Sequence, residues 1–320
     1  MTVDDRAGYS RREFGRLALT GVALSMSALS SRLGAIDSTV RGVKLGAITG
    51  VYGPFNAAPG QDVIDVVIQR SIAGGVGHVE LVNGLIEPRT TGGGVGGQAP
   101  EAVTPEYTKS REELRQWRIT TPLDRFREIR KKFDAASVNL YSYVMTIGDD
   151  FTDPEIDAVF RHMQALGVDK FCTNQTRVAM GRRMAPFAEK YRIKPAFHPH
   201  AQVHDPNEVA SPESLRMLLA MSPQFMINLD IGHYTRGGND PFAFLKEYPN
   251  RITHLHVRDA RDGKAVNIGT GTIKVKEMLQ FVRDNKHDVG FILEQGGTGF
   301  ADSVEAARAN IAYMRGALES

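Results

Sequence analysis

The sequence predicts an α/β protein built as one closed (β/α)8 TIM barrel, a single domain. Three observations carry this. After residue 41, short apolar runs rich in β-formers alternate with amphipathic helical runs, and the alternation repeats eight times. Such alternation argues for a parallel sheet with crossover helices, and eight units argue for closure. The 320 residues also suit one barrel of about 250 residues with a leader and one insertion. A hydrophobic fraction of 42% against 24% charged residues supplies a full core.

The strands are expected at Gly42–Ile48, His78–Val82, Val138–Met145, Lys170–Thr173, Lys194–His198, Phe225–Ile231, His254–Arg258 and Gly290–Glu294. The helical patterns between and after them are Asp62–Ala73, Leu123–Ala136, Pro154–Leu166, Ala179–Tyr191, Pro212–Met221, Pro241–Tyr248, Ile273–Asn285 and Ser303–Leu318. Three helix starts carry their own mechanism. Asp153-Pro154, Ser211-Pro212 and Asp240-Pro241 each place a capping side chain before a proline at the first helical position.

Two segments stand outside the repeat. Residues 1–35 read as an export signal: Ser10-Arg11-Arg12-Glu13-Phe14 precedes the small, apolar run Leu17–Leu29, and the arginine pair resembles a twin-arginine signal. That run is too short for a comfortable permanent span, so no stable membrane span is expected. Residues 84–121 form a Gly-rich insertion after the second strand; it contains Gly92-Gly93-Gly94 and a helical stretch, Glu112–Trp117, that carries the only tryptophan. Its position on the active-site face of such a barrel predicts a lid.

Charge and cysteine content exclude several classes. The net charge is +2, and residues 1–35 hold five arginines and three acids, so their removal would leave a balanced protein. A nucleic-acid partner is therefore not expected. Cys172 is the only cysteine, which rules out an intrachain disulfide. The leader implies an exported, periplasmic location and a passing encounter with the Tat translocase; a homo-oligomer stays open.

The chemistry concentrates at strand ends, which converge on one rim of a parallel barrel. Six of the nine histidines (His198, His200, His204, His233, His254, His256) fall between positions 198 and 256. One inward polar side chain from each of the last four strands would give His198, Asp230, His256 and Glu294 around one ion. Carboxylates hold a cation, and neutral imidazoles leave it acidic enough to polarise a carbonyl. The expected cofactor is a divalent metal, Mn²⁺ first, with Co²⁺, Fe²⁺, Zn²⁺ or Mg²⁺ as alternatives. Each residue alone has a plainer use, as a cap, a turn or a satisfied polar group; their concurrence carries the inference.

These motifs, H-x-H at 198–200, L-D-x-G-H at 229–233, H-x-H-x-R/K-D at 254–259 and a strand-ending Glu294 followed by a nearby glycine, resemble the sugar phosphate isomerase/epimerase branch of the xylose-isomerase-like barrels. The resemblance spans Gly42 to the C-terminus and is strongest over Ala196–Asp259. It implies that Asp230, His256 and Glu294 bind metal and that His233 contacts substrate or supports the ligands. Epimerases of that branch commonly add an earlier-strand glutamate as a second acid/base group; here His198 takes that place.

The expected function is a divalent-metal-dependent isomerase or epimerase acting on a sugar or keto-sugar through an enediolate-type intermediate. Glu294, His198 and His200 are the expected catalytic residues. His233, Arg258, Glu80 and Trp117 are expected to bind the small-molecule substrate. The alternatives are a lyase or dehydratase performing β-elimination on a 3-keto-glycoside or keto-sugar, a metal-dependent phosphodiesterase of AP-endonuclease type, and a non-catalytic sugar-binding barrel.

Overall fold

Near-continuous apolar strands call for cover on both faces, and the chain provides it. In a computed structural model describing residues 36–53, 55, 60–92, 103–174 and 176–320, eight strands close into a barrel inside a helical shell. The expected leader and residues 93–102 of the glycine-rich stretch lie outside the described residues.

The first half runs β1 (Val43–Ile48), α1 (Val63–Ala73), β2 (His78–Val82), α2 (Pro105–Thr120), α3 (Asp124–Ala135), β3 (Asn139–Val144), α4 (Asp153–Ala165), β4 (Lys170–Cys172) and α5 (Gly181–Tyr191). The second half runs β5 (Lys194–Phe197), α6 (Pro212–Met221), β6 (Met226–Asp230), α7 (Ile231–Arg236), α8 (Pro241–Glu247), β7 (Ile252–Val257), α9 (Val275–Asp284), β8 (Gly290–Leu293) and α10 (Ser303–Glu319). Each barrel strand pairs in parallel with its successor, and β8 pairs in parallel with β1, which closes the ring. Two-residue strands at Thr39–Val40, Ala260–Arg261 and Lys264–Ala265 decorate it. Among the described residues no helix is long and apolar enough to cross a membrane.

Side-chain alternation divides the core in two. Outward residues such as Leu81, Phe197, Leu229, Leu255 and Leu293 join the large layer between strands and helices. A smaller cluster, Ile48, Tyr141, Val144, Cys172 and Ile292, fills the barrel interior. There the Tyr141 hydroxyl crosses to donate to the Thr253 carbonyl at 2.8 Å. A Cβ at Gly290 would sit 2.7 Å from that hydroxyl, so only glycine leaves room for it.

The caps at Ser211 and Asp240 form as expected, the first as a reciprocal box with Ser214. At the third start the cap is Thr152, whose side chain accepts from the Glu155 N–H; Asp153 becomes the first helical residue. The hydroxyl one position earlier already fills the capping role, and the proline tolerates the second position as well as the first.

The insertion departs further from expectation. Its helix is longer than Glu112–Trp117, spanning Pro105–Thr120, and it belongs to the outer shell, packed against α4. Arg111, Arg115 and Arg118 all reach Glu155, and Arg118 also pairs with Glu87 at 2.6 Å. From Pro105 to Thr120 the insertion is thus a helix docked in the outer shell, while most of the glycine run on which the expected lid depends lies outside the described residues. Trp117 lies edge-on to Phe126 and His162, each 6.2 Å away, and Phe126 stacks on His162 at 4.0 Å. The sugar-stacking role expected of Trp117 is replaced by aromatic packing in the shell.

Candidate metal and active site

Registration of β5 to β8 brings the chemistry together. Asp230 on β6 pairs with His256 on β7, and His256 pairs with Ile292 on β8, so period-two alternation aims Asp230, His256 and the following Glu294 at one point. His198, just past β5, completes the set. One ligand atom from each of His198, Asp230, His256 and Glu294 lies within 4.8 Å of the others. His198 Nε2 is 3.5 Å from both Asp230 Oδ2 and Glu294 Oε2, and His256 Nδ1 is 2.7 Å from Glu294 Oε2.

Local turns hold each group. Asp230 caps the short helix α7, its Oδ1 accepting the His233 N–H at 2.6 Å, which leaves Oδ2 facing the cluster. Gly232 lets the Arg258 stem lie against α7, since a Cβ there would meet Arg258 Cβ at 2.7 Å. The Arg258 guanidinium then spans both carboxylates, 2.7 Å from Asp230 Oδ2 and 3.0 Å from Glu294 Oε1.

Glu80 stands beneath the mouth. It is fully buried, with one oxygen on His254 Nε2 at 3.0 Å and the other on His256 Nε2. Its expected place against a substrate hydroxyl is therefore taken by two imidazoles. With a cation bound, His256 would donate its Nε2–H to Glu80 and turn the Nδ1 lone pair to the cluster; without one, the carboxylates on either side favour the protonated ring.

The electrostatics follow from burial against partners. Burial opposes charge on His256, yet Glu294 and Glu80 outweigh it and lift its pKa to about 10. Burial likewise opposes charge on Glu294, but His256, His198 and Arg258 hold it well below the usual carboxylate range. Burial, reinforced by His198 and His233, lowers His200 to about 3, and burial also lowers His233 to about 4.

A divalent cation fits this arrangement. Both ring nitrogens of His198 are buried without a hydrogen-bond partner among the described residues, and His256 Nδ1 meets the mouth only through its ion-pair contact with Glu294. Buried polar nitrogens are costly unless satisfied, and His198 Nε2 and His256 Nδ1 face the carboxylates of Asp230 and Glu294. His198, Asp230, His256 and Glu294 would hold the ion.

The other predicted residues sort by distance. His200 and His233 ring the cluster, with the His200 centroid 4.9 Å from His198 and 5.1 Å from His233. Arg258 touches it directly, Glu80 supports it from below, and Trp117 stands apart in the shell. Sequence reasoning missed Asn228, whose amide lies 3.0 Å from His256 Nε2, and Arg236, whose guanidinium contacts His233 Nδ1. Asn228 sits two residues before Asp230 and so shares its inward face, a signal that was available.

Comparison with known proteins bears on the fold and the family. Residues 174–317 match the family model of the xylose isomerase-like TIM barrel. That stretch contains all four clustered residues. Inosose dehydratase of Clostridium tetani is 24% identical over 133 residues, 35% of this chain and 43% of that protein. Inosose dehydratase of Clostridium beijerinckii is 30% identical over 81 residues, 25% of this chain and 26% of that protein. The chain thus spans less than half the length of these curated relatives. Among solved structures, the probable 3-DHS dehydratase of Bacillus anthracis superposes with a TM-score of 0.59 at 13% identity, covering 85% of this chain and 98% of that one. The 3-keto-D-glucoside 4-epimerase of E. coli gives 0.57 at 11% identity, covering 86% and 99%. These structural likenesses show the fold, a closed eight-stranded parallel barrel inside a helical shell.

Proposed function

We propose that this chain is a divalent-metal-dependent isomerase or epimerase that moves a proton next to the carbonyl of a sugar or keto-sugar. The observation that carries the reading is the meeting of His198, Asp230, His256 and Glu294, with two buried imidazole nitrogens facing two carboxylates. A cation held there supplies Lewis acidity toward a substrate carbonyl. The residues do the rest.

Glu294 is the base. Its side chain is 17% exposed whereas that of Asp230 is 0% exposed and tied to a backbone N–H, so only Glu294 can reach substrate. A ligating His198 has no lone pair left for proton return, and His200, its pKa lowered to about 3 by burial and its histidine neighbours, stays neutral. Proton return therefore falls to Glu294 itself, with His200, His233 and Arg258 orienting hydroxyls. Transfer through one carboxylate on one face suits isomerisation through an enediolate-type intermediate.

The same economy favours a second reading, β-elimination. The acid form of Glu294 would protonate a departing oxygen on the same face, and the matched relatives from Clostridium tetani and Clostridium beijerinckii bear the name dehydratase.

The test is incubation of metal-loaded protein with ketoses and keto-glycosides in D₂O, followed by NMR. Deuterium next to the carbonyl in a saturated product supports isomerisation or epimerisation; an unsaturated product supports elimination. Bound metal with neither outcome on any substrate would overturn both and return the phosphodiesterase and the sugar binder to the front. The paired arginines ahead of an apolar run support export in folded form, which cell fractionation would check.

A further inference from the structure

Beside the four-residue cluster a cavity of about 300 Å³ opens between α7 and the loop after β7. His233 and Arg258 line it as well as the cluster, so the cavity continues the mouth. Its far wall is firmly built. Asp259 accepts four backbone N–H groups, from Ala260, Gly269 and Gly271 at 2.9 Å and from Ile273 at 3.2 Å. A Cβ at position 271 would fall 2.0 Å from Asp259 Oδ1, so that loop needs its glycine.

Charge on the lining is unevenly satisfied. Asp259 is answered by its N–H groups and Arg258 by Asp230 and Glu294. Asp262 is exposed at the tip of the small hairpin. Arg236 is also exposed; its contact is with His233 Nδ1, and no carboxylate lies within ion-pair distance of it among the described residues. Apart from the contact of its Nη2 with His233, the Arg236 guanidinium has donors free for a ligand oxyanion.

We propose that this cavity is a second subsite that receives a carboxylate carried by the sugar, and that Arg236 selects for it. One uncompensated guanidinium matches a single negative charge and the paired oxygens of a carboxylate. A phosphate dianion would call for a further free cation, and a neutral group would gain nothing from the charge on Arg236. The inference rests on the sugar-site reading above and narrows its substrates to acid sugars.

Binding tests it without turnover, so the preference and the enolisation chemistry stand or fall separately. Titration calorimetry of the metal-loaded protein would compare D-glucuronate with D-glucose, D-galacturonate with D-galactose, and both acids with D-glucose 6-phosphate. At least one uronate should bind about tenfold more tightly than its parent sugar, equivalent to about 1.4 kcal/mol. Arg236→Gln should abolish that preference with metal content and circular dichroism unchanged, and Arg236→Lys should keep part of it. Uronates that bind no better than their parents, a preference that survives Arg236→Gln, or tighter binding of the phosphate ester would each overturn the proposal.

Discussion

Glu80 and His256, 176 positions apart in the chain, share a hydrogen bond inside the barrel that decides which nitrogen of His256 faces the mouth. Replacing Glu80 by Gln keeps the volume but leaves one acceptor oxygen for two imidazoles, so His254 and His256 can no longer both donate to it. Supports of this kind for a ligating histidine are worth about 10–100-fold in metal affinity. Glu80→Gln should therefore weaken Mn²⁺ binding by about that factor, read by competitive titration. ¹⁵N NMR should show a shift in the His256 tautomer. Unchanged affinity and tautomer would contradict the geometry.

Removal of the cation should be felt in stability as well as activity. Ligand binding to the native state alone stabilises by about 2.7 kcal/mol at a hundredfold excess over Kd. Chelation should lower the melting temperature, and Mn²⁺ should restore it. His256→Ala should make the melting temperature insensitive to both treatments. In the metal-loaded enzyme, Glu294→Ala should reduce deuterium exchange by at least about 10²-fold, the usual worth of a general base.

The barrel and the meeting of four polar side chains at its mouth were legible because both follow from period-two alternation and strand-end position. Asp230 and His256 occupy inward places on adjacent strands, His198 and Glu294 follow the ends of the strands on either side, and pairing register does the rest. What stayed hidden depends on approach across the interior or the shell. Nothing local to Glu80 reveals that His254 and His256 take both its oxygens. Trp117 reads as a sugar platform in sequence, and only the docking of α2 assigns it to Phe126 and His162. The docking itself left a trace: Arg111, Arg115 and Arg118 fall at four- and three-residue intervals, one face of a helix seeking acid.

That face makes a stability prediction. Glu155 is fully buried under the guanidiniums of Arg111 and Arg118, and Arg118 is itself buried between Glu155 and Glu87. Removing one member of a buried ionic set costs about 3–5 kcal/mol, because its partners keep their charge without compensation. Arg118→Met should lower the unfolding free energy by about that amount in urea melts while metal affinity stays unchanged, since the network lies in the shell. Loss of metal binding in a folded variant would show instead that α2 controls the mouth.

His162 offers a pH prediction far from the cation. Burial against Phe126 and Trp117 holds its pKa down, to about 4 from an ordinary 6.5. A histidine lowered on folding stays neutral in the native state while the unfolded chain binds a proton, so its stabilising effect is complete above pH 6.5 and declines as pH falls toward 4. Between pH 7 and pH 5 this one group should cost on the order of 2 kcal/mol. His162→Phe, which keeps the aromatic stack, should remove that part of the acid sensitivity. The check is the difference in unfolding free energy between wild type and variant at the two pH values, in which the other buried histidines cancel. Parallel curves would mean that His162 exchanges its proton in the native state as freely as in the unfolded chain.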